Sequence, residues 1–161
     1  MSNRYQFHTK TAMAKGLKQI LAALADRLEI SRSVNVYLAG GMAVHLYTGT
    51  RVTTDVDAEF GARILLPNDL MVEVELEDGA RRSIYLDTNY NSTFALMHED
   101  YIEDSIPVDL GLSTFNVRVL SPVDLAVSKL VRFAPNDRED IAALVALGLT
   151  TASEIERRAT S

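Results

Sequence analysis

Apolar residues recur along this chain with two different periods, and the switches between them mark out its elements. Between residues 13 and 28, Leu17, Ile20, Leu21, Leu24 and Leu28 follow a three-to-four spacing, with Lys15, Lys18 and Arg27 on the other positions. That period predicts an amphipathic helix, and Ser31-Arg32-Ser33 ends it. Residues 34–39 (VNVYLA) form an apolar run rich in β-branched and aromatic side chains, a predicted strand. Gly40-Gly41 turns the chain into a short helical pattern over 42–47. A Gly/Thr/Arg loop (48–54) leads to a second strand, DVDAEF (55–60). Residues 71–76 alternate apolar and acidic side chains, Asp78-Gly79 is a hairpin signal, and 83–86 is the returning strand. The stretch 87–104 is polar with scattered aromatics and carries no clear period. Residues 106–110 (IPVDL) and 115–120 (FNVRVL) predict two more strands.

The rest reads as helix. Ser121-Pro122, with Asp124 behind them, has the form of an N-cap and first-turn proline, and the helix continues through Leu130. Asn136 with Glu139 resembles a capping box for a helix over 137–147, which stops near Gly148. Thr151 with Glu154 opens a last short helix. The expected architecture is α+β, a mixed sheet flanked by helices, in one domain spanning 1–161: a core over about 34–120 and a C-terminal helical segment over 121–161.

Composition narrows the setting. The 161 residues are 47% hydrophobic and 24% charged, ordinary for a globular protein. No apolar run reaches the ~18–20 residues of a membrane span, and the N-terminus has no apolar core of a secretion signal. With no cysteine in the chain, disulfides and thiolate metal sites are excluded, and the expected compartment is the cytoplasm. A net charge of −6 argues against a general nucleic-acid coat. It leaves room for a nucleotide or an RNA end held by a local basic cluster.

Chemistry concentrates between Val34 and Phe60. On a strand, residues two apart share a face, so Asp55 and Asp57 project together. Two carboxylates side by side repel, and a divalent cation between them relieves the repulsion. Upstream, Gly40-Gly41 lets the backbone approach a bulky anion, and the helix start behind it offers free N–H groups. Asp109, between Val108 and Leu110 in an apolar run, is the expected third carboxylate: a buried acid needs a partner or a metal. The three histidines, His8, His45 and His98, are scattered, and His45 reads as a core or rim residue. Arg81-Arg82 after the hairpin read first as a solvated turn and second as a contact with a nucleic-acid acceptor. Tyr85, Tyr90, Phe94 and Tyr101 line a cleft or cover the sheet. Asn91-Ser92-Thr93 matches a glycosylation sequon with no export signal to use it.

Gly40-Gly41, then Asp55-Val56-Asp57, then Asp109, resemble the motif of the nucleotidyltransferase superfamily, which includes DNA polymerase β and the minimal bacterial nucleotidyltransferases. The segment SPVDLAVSKLVRFAPNDREDIAALVALGL resembles bacterial nucleotidyltransferase-like proteins and the abortive-infection enzymes of toxin–antitoxin systems. The resemblance implies one or two Mg²⁺ ions on Asp55, Asp57 and Asp109, with an NTP as substrate. It implies Lys129 on the nucleotide phosphates and Asp137 or Asp140 orienting that lysine or a metal-bound water. Gly40, Gly41, Arg51, Thr53 and Thr54 would line the nucleotide site; a Gly-Gly pair replaces the commoner Gly-Ser, so a threonine or Arg51 takes over the missing serine's contact. The expected reaction is Mg²⁺-dependent transfer of a nucleoside monophosphate to a hydroxyl on a tRNA end, a protein or a small molecule, with no membrane partner. Two rival readings remain. One is a non-catalytic module that binds a cognate protein; the other is a metal-dependent nuclease or phosphatase using the same acids.

Overall fold

The computed structural model describes residues 5–88, 90 and 97–161. Phe94 and the Asn91-Ser92-Thr93 sequon lie outside them. Helix α1 (Ala12–Leu28) is capped by Thr11, whose hydroxyl accepts the Ala14 N–H. It is followed by β1 (Val34–Ala39), α2 (Gly40–Thr48), β2 (Asp55–Phe60), β3 (Met71–Glu75) and β4 (Arg81–Leu86). Then come β5 (Ile106–Pro107), β6 (Phe115–Val119), α3 (Pro122–Ser128), α4 (Pro135–Ala146) and α5 (Ala152–Thr160). The strands form one mixed sheet in the order β3-β4-β2-β1-β6-β5. The expected α+β class and mixed sheet are what the structure has. No helix among the described residues is long and apolar enough to cross a membrane.

The two faces of the sheet differ. One carries Val36 and Leu38 of β1, Val56 of β2, Ile84 of β4 and Val117 of β6, all buried. Helices α1 and α2 lie side by side against it, with Leu17, Ile20, Leu21, Leu24, Met42 and Leu46 fully enclosed. Gly16 lets α1 sit close to β3 and β4: a Cβ there would come within 2.6 Å of Ile84 and Val74. The strand alternation puts Asp55, Asp57 and Glu59 of β2 and Tyr85 of β4 on the opposite face.

Several boundaries shift for physical reasons. Gly40-Gly41 is not a turn before α2 but its first two residues. Strand β4 begins at Arg81 rather than Ser83, because Arg81 and Arg82 pair with Glu75 and Val74 across the hairpin. Helix α3 stops at Ser128, short of Leu130. The cap of α4 is Ala134, not Asn136: the Asp137 carboxylate reaches back to accept the Ala134 N–H at 3.0 Å.

The run 106–110 is the largest departure. Ile106 and Pro107 pair with β6, and Val108 adds one further backbone bond to Val117 before the chain leaves the sheet. Val108 and Leu110 are buried while Asp109 between them is exposed, so the run alternates instead of burying both sides.

Candidate functional site

Strand β1 pairs with β2 so that Ala39 stands opposite Asp57. The end of β1, the start of α2 and the start of β2 therefore meet at one rim of the sheet. Gly40 holds φ at +65°, a left-handed conformation that favours glycine. A Cβ there would stand 2.1 Å from Asp57 Oδ2, and one on Gly41 would stand 2.9 Å from Thr53 Cβ. The glycine pair thus makes room for the acid and the loop as well as leaving backbone open to a ligand. Ala39, the N-cap of α2, has no side chain that can bond the first turn, so the N–H groups there are without a side-chain cap.

A cavity of about 350 Å³ opens at this rim. It is lined by Gly40 and Gly41, by residues 51–55, by Asp57, and by Lys129, Arg132 and Asn136. The structure therefore brings together seven of the residues singled out from sequence, Gly40, Gly41, Arg51, Thr54, Asp55, Asp57 and Lys129, along with Thr53. Asp137 and Asp140 stand behind them. Lys129, only 6% exposed, points Nζ at Asp140 Oδ2 (2.9 Å) and lies 3.7 Å from Asp137 Oδ1. Arg51 Nε donates to Asp140 Oδ1 at 2.8 Å, and its terminal nitrogen donates to the Val52 carbonyl. Arg132 grips Asp137 with two bonds of 2.8 and 2.9 Å, which hold the Asp137 carboxyl below its ordinary range. Two buried acids thereby fix three cations in a wall.

Asp109 is not in this site. Its Oδ1 accepts the Gly111 N–H, and it lines a different groove with Asn35, Phe115 and Asn116. Asn35 is separated from Ala39 by most of β1, about 13 Å along the strand. The expectation of a shared point for Asp55, Asp57 and Asp109 is corrected accordingly.

The acid that does reach Asp57 is Asp87. It directly follows β4, which runs parallel to β2 with Asp55 opposite Tyr85, and its N–H bonds the Val56 carbonyl at 3.0 Å. The Asp57 carboxyl is pushed up to about 7, first by burial, then by the hydrogen bond and charge of Asp87 and by the charge of Asp55; Lys129 opposes this. Three further groups do not read as site residues in the sequence: Asp87 and Arg132, which carry no expectation there, and Asn136, which reads only as a helix cap. A usable signal for Asp87 was present, an acid at the end of the strand returning from the Asp78-Gly79 hairpin.

Asp57 and Asp87 make an all-oxygen donor set with an excess of negative charge, which fits a hard divalent cation. Among the described residues no three His, Cys, Asp or Glu side chains close a metal cage unaided. Mg²⁺ is commonly held by one or two carboxylates plus substrate phosphates, so this set suffices.

A mixed sheet with a glycine-started helix at the rim, facing strand-borne carboxylates, is consistent with a nucleotidyltransferase-like fold. The chain belongs to the family described as a nucleotidyltransferase of unknown function (DUF6036), whose model matches residues 15–160. No curated protein and no solved structure matches it significantly.

Proposed function

We propose that the protein transfers a nucleoside monophosphate from an NTP to an acceptor hydroxyl and releases pyrophosphate. The observation that carries this reading is that Asp57, which lines the cavity together with Arg51, Lys129 and Arg132, has its carboxyl in contact with that of Asp87. The wall and the uncapped start of α2 suit the β- and γ-phosphates. One or two Mg²⁺ ions, held by Asp57 and Asp87 and completed by the phosphates, with Asp55 adding negative charge beside them, would neutralise charge on the phosphates.

In-line displacement places the acceptor opposite the leaving pyrophosphate, hence toward β4 rather than α2. The acceptor oxygen bonds the α-phosphorus while the bond to the bridging oxygen breaks. The electron pair leaves with pyrophosphate, and the hydroxyl proton passes to Asp87. Tyr85 and Met71, paired across β3 and β4, are 46% and 44% exposed on this side. They offer a flat apolar surface beside Asp55. The net charge of −6 favours a small molecule or protein side chain over a tRNA end as acceptor.

The test uses labelled NTPs, Mg²⁺ and panels of candidate acceptors. Label transfer is expected from the wild type and from Asp109→Asn, and not from Asp57→Asn or Asp87→Asn. Tyr85→Ala is expected to raise KM for the acceptor with little change in KM for NTP. Equal, background-level transfer by wild type and Asp57→Asn would overturn the enzyme reading in favour of a non-catalytic binding module. Release of free nucleotide without an adduct would point to hydrolysis instead.

A further inference from the structure

His45 is buried in α2, away from the carboxylates, and both of its ring nitrogens are engaged. Nδ1 lies 2.7 Å from the carbonyl oxygen of Arg51, and Nε2 lies 2.7 Å from the hydroxyl of Thr11. A carbonyl can only accept, so Nδ1 carries a proton. In the neutral ring Nε2 then accepts from the Thr11 hydroxyl, whose oxygen accepts the Ala14 N–H as the cap of α1. Burial lowers the pKa of His45, and the charge of His8 adds to that; the Arg51 carbonyl and Glu77 act the other way. The net direction favours the neutral ring, in which every one of these bonds is made.

Arg51 is the residue this ring holds. Its guanidinium carbon lies 3.3 Å from where a Cβ on Gly41 would be, and its Nε is fixed on Asp140. The loop carrying it leaves α2 at Gly49, whose N–H returns to the His45 carbonyl at 2.6 Å. The ring and the carbonyl of one residue thus anchor both ends of a short turn that delivers a cation to the cavity.

We propose that His45 is a positioning residue for the phosphate wall: its Nδ1–H fixes the Arg51 carbonyl, and so sets where the Arg51 side chain meets Asp140 and the ligand. This rests on the nucleotide reading of the cavity. It assigns to an imidazole that touches no ligand a share of the nucleotide affinity, and it ties the cap of α1 to that affinity.

Two substitutions separate the ring's bonds. An asparagine amide nitrogen sits as far from Cβ as Nδ1 does, whereas a glutamine amide nitrogen sits as far as Nε2. His45→Asn therefore keeps a donor for Arg51, and His45→Gln keeps a partner only for Thr11. Calorimetric titration with Mg²⁺–ATP is expected to show about tenfold weaker binding for His45→Gln, the lower end of what supporting hydrogen bonds contribute around ligand sites. His45→Asn is expected to bind within about twofold of wild type. A second readout needs no nucleotide: the Arg51 Nε–H resonance, slowed in exchange by Asp140 and assigned with Arg51→Lys, should persist in His45→Asn and vanish in His45→Gln. A purely structural histidine would lower Tm in both variants without separating them in either readout, and that result overturns the proposal. If wild-type protein binds no Mg²⁺–ATP, the nucleotide reading falls, and the resonance alone decides whether His45 places Arg51.

Discussion

At the scale of single residues, the site depends on where side chains are missing as much as on where they stand. Gly40 combines a left-handed backbone with the closest approach to Asp57. Gly79 has φ of +88°, but a Cβ added there would meet nothing within 4 Å. Gly79→Ala therefore reports backbone strain alone, on the order of 1–3 kcal/mol. Gly40→Ala is expected to lose at least that, and to displace Asp57 as well. Urea denaturation of both variants, with Mg²⁺ titrations alongside, should show comparable stability loss at a minimum but weakened Mg²⁺ binding only in Gly40→Ala. Residue identity was also where sequence reasoning went astray. Asp109 looked buried because its neighbours are apolar, yet Val108 and Leu110 share a face with each other and not with it. Asp87 looked like the start of a loop, because nothing local says that β4 lies parallel to β2.

At the scale of elements, most of the architecture was legible because local signals and tertiary burial agreed. The leucine spacing of α1, the apolar run of β1, the hairpin before β4 and the Ser121 and Thr151 caps all appear where the pattern put them. Local signals could not show which strands pair, and the third carboxylate depends on that pairing. They also missed why α3 and α4 meet. Beside the apolar core that takes in Leu144 of α4 and Leu125 of α3, charges join the two helices: Lys129 at the end of α3 reaches Asp137 and Asp140 on α4, and Arg51 reaches Asp140 from the loop after α2. Removing one member of a buried ion network strands the others, at a cost of about 3–5 kcal/mol. Asp140→Ala should lose stability on that scale in chemical denaturation, since it leaves Lys129 and Arg51 without their shared partner. Arg132, whose side chain is 74% exposed, lies at the edge of the network. Arg132→Ala should lose about 1 kcal/mol or less, so any larger loss of NTP binding in that variant reports contact with the ligand.

At the scale of the whole molecule, the balance of charge would make the proposed metal and nucleotide interdependent. The chain carries a net charge of −6, and the site has the same sign. Arg51, Lys129 and Arg132 face Asp137 and Asp140, which already pair with them, and Asp55, Asp57 and Asp87 add to the excess. A triphosphate entering without a cation would meet net repulsion, so NTP binding is expected to require Mg²⁺. Asp57 gives this a pH signature. Its pKa rises from an ordinary 3.8 to about 7 in the fold, so the folded state holds the proton more tightly. The stability linked to that proton is fully present below 3.8 and is lost as pH rises through about 7. Mg²⁺ acts in the opposite sense, because it binds the carboxylate and must displace the proton. The gain in Tm from Mg²⁺ should therefore be small below about pH 6 and reach a plateau above about pH 8. Thermal melts across that range, with Mg²⁺ or with a chelator, check the trend. In Asp57→Asn the proton is gone and the slope should flatten; an undiminished slope would place the titrating group elsewhere in the molecule.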